Sequence, residues 1–130
     1  MFRTFVLGLA LATSSFGMCH ADTISGREIY VIDGDTIDYR DTRYRLVGLD
    51  TPETYRHQCD YELALGNTAT TRLRSLVTGG QIVDLRVQPG LDRYGRSLAR
   101  LYVGGTDIAD TLVSEGLARR YNGGRRQPWC

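Results

Sequence analysis

Five charged side chains in the first hundred residues are of the types that bind a divalent cation and a phosphate group. They are Asp35, Arg45, Asp50, Glu53 and Arg96. Aspartates on turns offer oxygen ligands to a hard cation such as Ca²⁺, and arginine presents a planar fork that matches a phosphate. A metal site, a carboxylate base and phosphate clamps are the components that phosphodiester hydrolysis requires. Together the five residues favour that chemistry, provided that the fold brings them to one place.

The acidic residues also have simple structural interpretations when each is taken alone. Residues 33–36 (DGDT) are typical of a turn between strands, and they do not continue as an EF-hand loop would. Asp50 precedes residues 51–53 (TPE), in which a cap, a proline and an acid follow one another as they do where a helix begins. A turn and a helix cap therefore stay open beside metal binding.

Each of the two arginines also has two interpretations, exposure to solvent or contact with an anion. Arg45 lies in the middle of a predicted strand, where a charge is costly unless it faces solvent or an anion. Arg96 ends residues 92–96 (DRYGR), which resemble a hairpin loop. In such a loop the guanidinium is either solvated or contacts an anion.

The elements that must position these residues follow from the hydrophobic pattern. Alternation predicts strands, whereas recurrence at helical spacing, ended by Gly79-Gly80, predicts a helix. Strands are predicted over residues 27–32, 36–40, 43–49, 81–88 and 97–103, helices over 60–78 and 107–115, and irregular structure from Arg119 onward. A five-stranded meander with a helix between its third and fourth strands indicates an α+β β-barrel of the OB type. An open α+β sandwich is the alternative.

The N-terminus has the order of a secretory signal peptide over residues 1–21, with one arginine, an apolar stretch and a small residue at the cleavage position. The apolar stretch is too short to cross a bilayer, and Cys19 has a poor context for lipoprotein attachment. We therefore expect export to the periplasm or the medium. After cleavage, residues 22–130 would form a single domain that is not attached to the membrane.

The charge balance indicates how the chain could bind nucleic acid, and the cysteines indicate whether it forms a disulfide. Every basic residue outside histidine is arginine, and loss of Arg3 would leave equal numbers of basic and acidic groups. Bulk charge therefore does not attract nucleic acid, and a phosphate site must be arranged locally. Cleavage would leave Cys59 and Cys130, which in an exported domain favour one disulfide over two free thiols. Such a bridge stabilises the fold by about 4 kcal/mol in the loop-entropy model.

Four motifs now taken together resemble one known family. They are VIDGDT at residues 31–36, YRLVGLDTPE at 44–53, DRYGR at 92–96 and GLA at 116–118. In order and approximate spacing they are similar to the thermonuclease family, the staphylococcal nuclease-like enzymes. The resemblance implies a five-stranded OB barrel with helices. It also implies a Ca²⁺-dependent nuclease that cleaves DNA and RNA, prefers single-stranded regions and leaves 3′-phosphate ends. We expect a monomer.

The resemblance also implies a metal-ligand set. Asp35 and Asp50 would bind Ca²⁺ through their carboxylates, and Thr51 would bind it through its backbone carbonyl. Asp33 matches the first aspartate of the family's Asp-Gly-Asp and would support these ligands without touching the metal.

The remaining roles concern the water and the substrate. By resemblance, Glu53 would be the general base, and Arg45 and Arg96 would grip the scissile phosphate. Tyr94 and Tyr121 could stack on a base or pack in the core. The last residues, YNGGRRQPWC, do not align with the family's aromatic residues. They also end where well-known members continue into another helix, for which a Cys59–Cys130 bond would be a replacement.

Two other functions remain compatible with this fold. One is a non-catalytic OB module that binds nucleic acid or protein, and the other is a hydrolase of another phosphodiester, such as a nucleotide second messenger. The complete set of metal ligands, base and arginines favours catalysis, because a binding module does not need it.

Overall fold

A computed structural model describes residue 12, residues 21–79 and residues 82–130. Apart from residues 12 and 21, the predicted signal peptide lies outside the described residues. Within the described ranges, we find no helix that combines the length and the apolar character needed to span a bilayer.

Nine strands and two helices make up this part of the chain. The elements are β1 (Ala21–Ile24), β2 (Tyr30–Asp33), β3 (Thr36–Tyr39), β4 (Thr42–Leu46), β5 (Gly48–Asp50), α1 (Asp60–Thr78), β6 (Val83–Leu91), β7 (Ser97–Val103), β8 (Thr106–Asp107), α2 (Ile108–Ser114) and β9 (Arg119–Tyr121), with a 3-10 turn at Gly26–Glu28. Both predicted helices are confirmed.

The main sheet curls into a barrel of the OB type. Its strand order is β1-β6-β7-β4-β3-β2, and β8 adds to β7. Strands β4 and β7 run parallel, and the long connection through α1 and β6 provides the crossover that a parallel pair requires. Although β1 and β2 lie at opposite ends of this order, they are consecutive in sequence and joined through the 3-10 turn. A short connection therefore spans the two edges of the curled sheet, and the arrangement agrees with the predicted OB-type barrel.

Three strand predictions were wrong in their bounds, and the one over 81–88 is observed as Val83–Leu91. The strand expected over 43–49 is two strands, because Gly48 has a φ of 90° and turns the chain after Leu46. Strand β5 leaves the barrel sheet and pairs with β9, so the segment from Arg119 is not wholly irregular. The strand expected over 27–32 begins only at Tyr30, after the 3-10 turn.

A close contact explains that turn. A Cβ atom on Gly26 would lie 1.7 Å from the backbone oxygen of Val77, so only glycine lets the turn rest against the end of α1. The largest fully buried apolar side chains come from the strands and from both helices, and they include Ile37, Leu46, Leu49, Leu73, Leu85, Leu101, Ile108 and Leu112. This core fixes the strand ends that carry the charged residues.

The disulfide joins the residue before α1 to the last residue of the chain. The Sγ atoms of Cys59 and Cys130 are 2.03 Å apart, and their Cα atoms are 6.1 Å apart across a sequence separation of 71. The expected pairing is therefore present. As a result, the C-terminal tail, residues 122–130, is held against the loop that precedes α1.

Candidate active site

Two buried aspartates come from separate strand ends. Asp35 lies in the turn between β2 and β3, and Asp50 is the last residue of β5. The Oδ2 atom of Asp35 accepts a hydrogen bond of 3.1 Å from the backbone N–H of Thr51, while its Oδ1 accepts one of 3.1 Å from the Thr36 hydroxyl. The turn is thereby tied to the residue that follows β5, and the predicted ligands of the cation are neighbours.

The glycine of the Asp-Gly-Asp turn permits this approach. A Cβ atom on Gly34 would lie 2.7 Å from Cγ2 and 2.8 Å from Oγ1 of Thr51. Asp33 accepts a 3.1 Å hydrogen bond from the backbone N–H of Asp35. Burial and the nearby negative charge of Asp35 raise the pKa of Asp33 to about 7. Asp33 therefore contacts the backbone of the turn, as a supporting residue would.

Arg45 bridges the two aspartates. Its Nη2 atom lies 3.3 Å from Oδ2 of Asp35 and 3.9 Å from Oδ1 of Asp50. The same nitrogen donates a 3.0 Å hydrogen bond to the carbonyl of Leu49, and Nη1 donates to the carbonyl of Leu46. These acceptors compensate the charge in mid-strand.

Arg96 reaches the same end of the barrel from the loop before β7. Its Nη1 atom lies 3.5 Å from the hydroxyl of Thr36. Asp92 holds it there, because the Arg96 Nε donates to Asp92 Oδ2 at 2.6 Å and the Arg96 backbone N–H donates to Oδ1 at 2.9 Å. Burial opposes ionisation of Asp92, but these bonds and one from the Tyr94 backbone outweigh it and lower the pKa of Asp92.

The loop between β5 and α1 carries Glu53. A side chain missed in the sequence, the buried Glu62 in the first turn of α1, fixes this loop. Its carboxylate accepts a 3.3 Å hydrogen bond from the backbone N–H of Glu53 and one of 2.7 Å from that of Gln58. An acid in the first turn of a helix is a known capping signal, so the sequence did contain a clue to this contact.

The C-terminal tail supplies two further residues that the sequence did not suggest. Trp129 donates a 3.3 Å hydrogen bond from Nε1 to Oδ2 of Asp50, and the guanidinium of Arg119 lies 3.7 Å from its ring centroid. Arg126 places Nη1 2.7 Å from Oε1 of Glu53 and Nη2 2.7 Å from Oδ1 of Asp50. The tail is therefore a wall of the site.

Asp50 is the most enclosed charged residue of the site, with 2% of its surface exposed. Burial raises the pKa of Asp50, although Arg126 and Arg45 lower it in part. Its Oδ1 lies 2.7 Å from Nη2 of Arg126, but within the described part of the chain no donor forms an aligned hydrogen bond with this buried oxygen. A buried carboxylate oxygen costs free energy unless a cation lies beside it, and in this structure Arg126 is that cation.

Comparison with known proteins shows the family of this chain. The family model described as staphylococcal nuclease homologue matches residues 43–128, well over half of the 130-residue chain. The chain belongs to that family. The matched stretch contains Arg45, Asp50, Glu53 and Arg96. Asp35 precedes it, so its assignment to the site depends on its contacts with Thr51 and Arg45.

Individual members of the family are similar over most of this chain. It is 43% identical over 96 residues to endonuclease YncB of Bacillus subtilis (strain 168), covering 68% of this chain and 44% of that protein. It is 33% identical over 109 residues to a thermonuclease of Staphylococcus hyicus, covering 81% and 64%. With an uncharacterized endonuclease of Escherichia coli it shares 36% identity over 118 residues, covering 87% and 71%. The chain spans less than two thirds of the first two relatives.

The site of this staphylococcal nuclease homologue has donors that suit a hard cation. Among the described residues, no group of three histidine, cysteine, aspartate or glutamate side chains could hold a metal. The predicted set instead combines two carboxylates, from Asp35 and Asp50, with the carbonyl of Thr51. Oxygen donors alone are what Ca²⁺ prefers, and water and phosphate oxygens complete its coordination. The buried Oδ1 of Asp50, which has an ion pair but no aligned hydrogen bond among the described residues, is consistent with such a ligand.

Proposed function

We propose that this chain is an exported, Ca²⁺-dependent nuclease, a hydrolase that cleaves phosphodiester bonds of DNA and RNA. The observation that supports it best is the bridge from Arg45 to both buried aspartates, with Thr51 bound to Asp35 beside them. Relatives named endonuclease and thermonuclease support the same activity. A module that only binds nucleic acid has no need for this combination of buried acids and arginines.

In this proposal Asp35, Asp50 and the Thr51 carbonyl hold the cation. When bound, Ca²⁺ neutralises phosphate charge and orients the phosphorus for in-line attack. Burial of both aspartates keeps their oxygens in place, which lowers the cost of ordering the ligands.

Glu53 accepts a proton from the attacking water, whose oxygen forms the new bond to phosphorus. The bond from phosphorus to the 5′ oxygen breaks, that oxygen takes up a proton, and the other fragment keeps a 3′-phosphate. Arg45 and Arg96 donate to the phosphate oxygens, whose charge increases in the transition state, and the arginine fork suits them better than lysine.

We also propose a preference for single strands. Tyr94 is 65% exposed, and the guanidinium of Arg96 lies 5.3 Å from its ring centroid. An exposed ring next to a phosphate-binding arginine can stack on an unpaired base. The ring centroid of Tyr121 lies 5.9 Å from the guanidinium of Arg45, so Tyr121 is a second candidate for stacking. We expect the enzyme to act as a monomer away from the membrane.

Export is supported by the disulfide between Cys59 and Cys130, because such bonds persist in oxidising compartments. Recovery of the processed protein from the periplasm or the medium tests this part of the proposal. Recovery of the intact chain from the cytoplasm alone contradicts it.

The activity is tested by digestion of denatured DNA, duplex DNA and RNA with the purified protein, first in Ca²⁺ and then in chelator. We expect cleavage only in Ca²⁺, fastest on the single strands, with product ends that a phosphatase can trim. Equal digestion with and without chelator would overturn the metal assignment. Binding of nucleic acid without cleavage would favour the OB binding module, and cleavage of only a cyclic dinucleotide would favour the other phosphodiesterase.

A further inference from the structure

The guanidinium of Arg126 lies against the predicted cation ligands. Its Nη2 atom is 2.7 Å from Oδ1 of Asp50 and 3.5 Å from the carbonyl oxygen of Thr51. Its Nη1 atom is 2.7 Å from Oε1 of Glu53. One positive group of the chain therefore contacts two of the three predicted ligands and the predicted base at once.

A cation bound by Asp50 and Thr51 would need the same oxygens. Two positive charges cannot share them at contact distance without strong repulsion, which is weakly screened at a buried carboxylate. Occupancy by Arg126 therefore opposes occupancy by a divalent cation at these atoms. The two states compete for one site.

The tail that carries Arg126 is anchored at the residues that follow Arg126. Arg119, which precedes the tail, donates hydrogen bonds of 3.2 and 3.1 Å to the carbonyls of Gln127 and Pro128. Trp129 donates a hydrogen bond to Asp50, and Cys130 forms the disulfide with Cys59. Such a tether gives the guanidinium a high effective concentration at the site.

The side chain of Arg126 can nevertheless leave. It is 39% exposed, whereas the Asp50 side chain beneath it is 3% exposed. Arg126 therefore lies on the solvent side of the ligands, and its departure uncovers them without displacing a core residue. Solvation of the released guanidinium compensates part of the lost ion pairs.

We propose that Arg126 is a built-in counter-ion that competes with the divalent cation for Asp50 and the Thr51 carbonyl, and that the Cys59–Cys130 bond sets the strength of this competition. In the absence of cation, Arg126 neutralises the site and pairs with Glu53. Cation binding expels it and releases Glu53. This inference rests on the proposed cation site, but not on the cleavage reaction.

The test measures Ca²⁺ binding by isothermal titration calorimetry. The wild-type protein is compared with Arg126→Ala and with Arg125→Ala, which removes the same charge from the adjacent residue. Arg125 forms no hydrogen bond or ion pair within the part of the chain that the structure describes. We expect Arg126→Ala to tighten Ca²⁺ binding about tenfold or more, since the competing state is removed, and Arg125→Ala to change it less than twofold.

A second pair of variants tests the tether. Cys130→Ser should also tighten Ca²⁺ binding, because Arg126 loses its effective concentration, and it should have no further effect when combined with Arg126→Ala. Independent, additive effects of the two changes would overturn the role of the disulfide. Should Cys130→Ser fail to fold, titration of the wild type after reduction makes the same comparison, with folding checked by circular dichroism.

The outcomes separate this inference from the proposed function. Wild-type binding of Ca²⁺ that Arg126→Ala leaves unchanged or weakens would overturn the competition alone. Absence of Ca²⁺ binding in both proteins would overturn the cation site itself. Binding by Arg126→Ala but not by the wild type would support both proposals. Weaker nucleotide binding with unchanged Ca²⁺ affinity would instead make Arg126 a phosphate ligand.

Discussion

Asp35 and Thr51 are joined by a hydrogen bond of 3.1 Å from the backbone N–H of Thr51 to the Asp35 carboxylate, across 16 residues of sequence. The acceptor oxygen is the one that also faces Arg45 at 3.3 Å. One carboxylate oxygen thus holds a backbone segment and an arginine in place. The barrel therefore fixes the relative positions of these site residues, which lowers the cost of ordering them for binding.

Glu53→Gln should lower the rate of cleavage by a hundredfold or more while the thermal midpoint stays within a few degrees. The amide cannot accept the proton from water, and the ion pair lost with Arg126 is partly exposed, so it contributes at most about 1 kcal/mol. Single-turnover cleavage and thermal unfolding measure the two effects. Glu115→Gln, which loses an exposed pair with Arg72, is the matched control and should keep full activity. Full activity in Glu53→Gln would refute the base assignment.

Arg96→Lys should lower kcat by about a hundredfold, with a smaller change in KM. Lysine keeps the charge but loses the fork that matches two phosphate oxygens, and loss of one such donor typically costs a factor of 10² to 10³. Arg72→Lys, at the exposed pair between α1 and α2, is the control and should be neutral. A change in KM alone would mean that Arg96 contacts the ground state and the transition state equally.

Gly34→Ala should destabilise the fold and weaken the cation site together. The new Cβ would lie 2.7 to 2.9 Å from three side-chain atoms of Thr51, so the turn and Thr51 must move apart. Overpacking of this kind costs about 1–3 kcal/mol, and the same displacement shifts the Thr51 carbonyl. Chemical denaturation and Ca²⁺ titration measure the two effects. Unchanged stability would mean that the turn yields without strain.

Much of the fold could be predicted because it depends on local pattern. The apolar spacing over residues 60–78 specified α1 with its observed bounds, and alternation located β3 and β7. Pattern could not reveal that Gly48 adopts a positive φ and sends Gly48–Asp50 out of the barrel sheet. It also missed β1, whose pairing with β6 is a long-range contact.

The residues of the candidate site also fall into two groups, those that the sequence indicated and those that it did not. Asp35, Asp50 and Arg45 belong to motifs that resemble a known family, and the structure brings them together. Arg126 and Trp129 belong to a tail with two glycines and no periodicity, so no local rule assigns them to a site. Only the disulfide expected between Cys59 and Cys130 could have indicated that the tail returns to the loop before α1.

Asp92→Asn should lower stability at neutral pH and remove part of its pH dependence in acid. The pKa of Asp92 is lower in the folded protein than in the unfolded chain, because hydrogen bonds from Arg96 and the Tyr94 backbone outweigh burial. The stability that Asp92 contributes is therefore fully present above its unfolded pKa, about 3.9, and is lost as the pH falls through the lower folded value. For this partly exposed pair we expect a difference in the free energy of unfolding of about 1 kcal/mol at pH 7, which shrinks as the pH approaches 2.

Urea unfolding of the wild type and of Asp92→Asn between pH 2 and 7 measures this difference, with Asp22→Asn as the control for loss of one surface charge. A gap between wild type and Asp92→Asn that stays constant down to pH 2 would show that the carboxylate of Asp92 does not stabilise the loop by its charge.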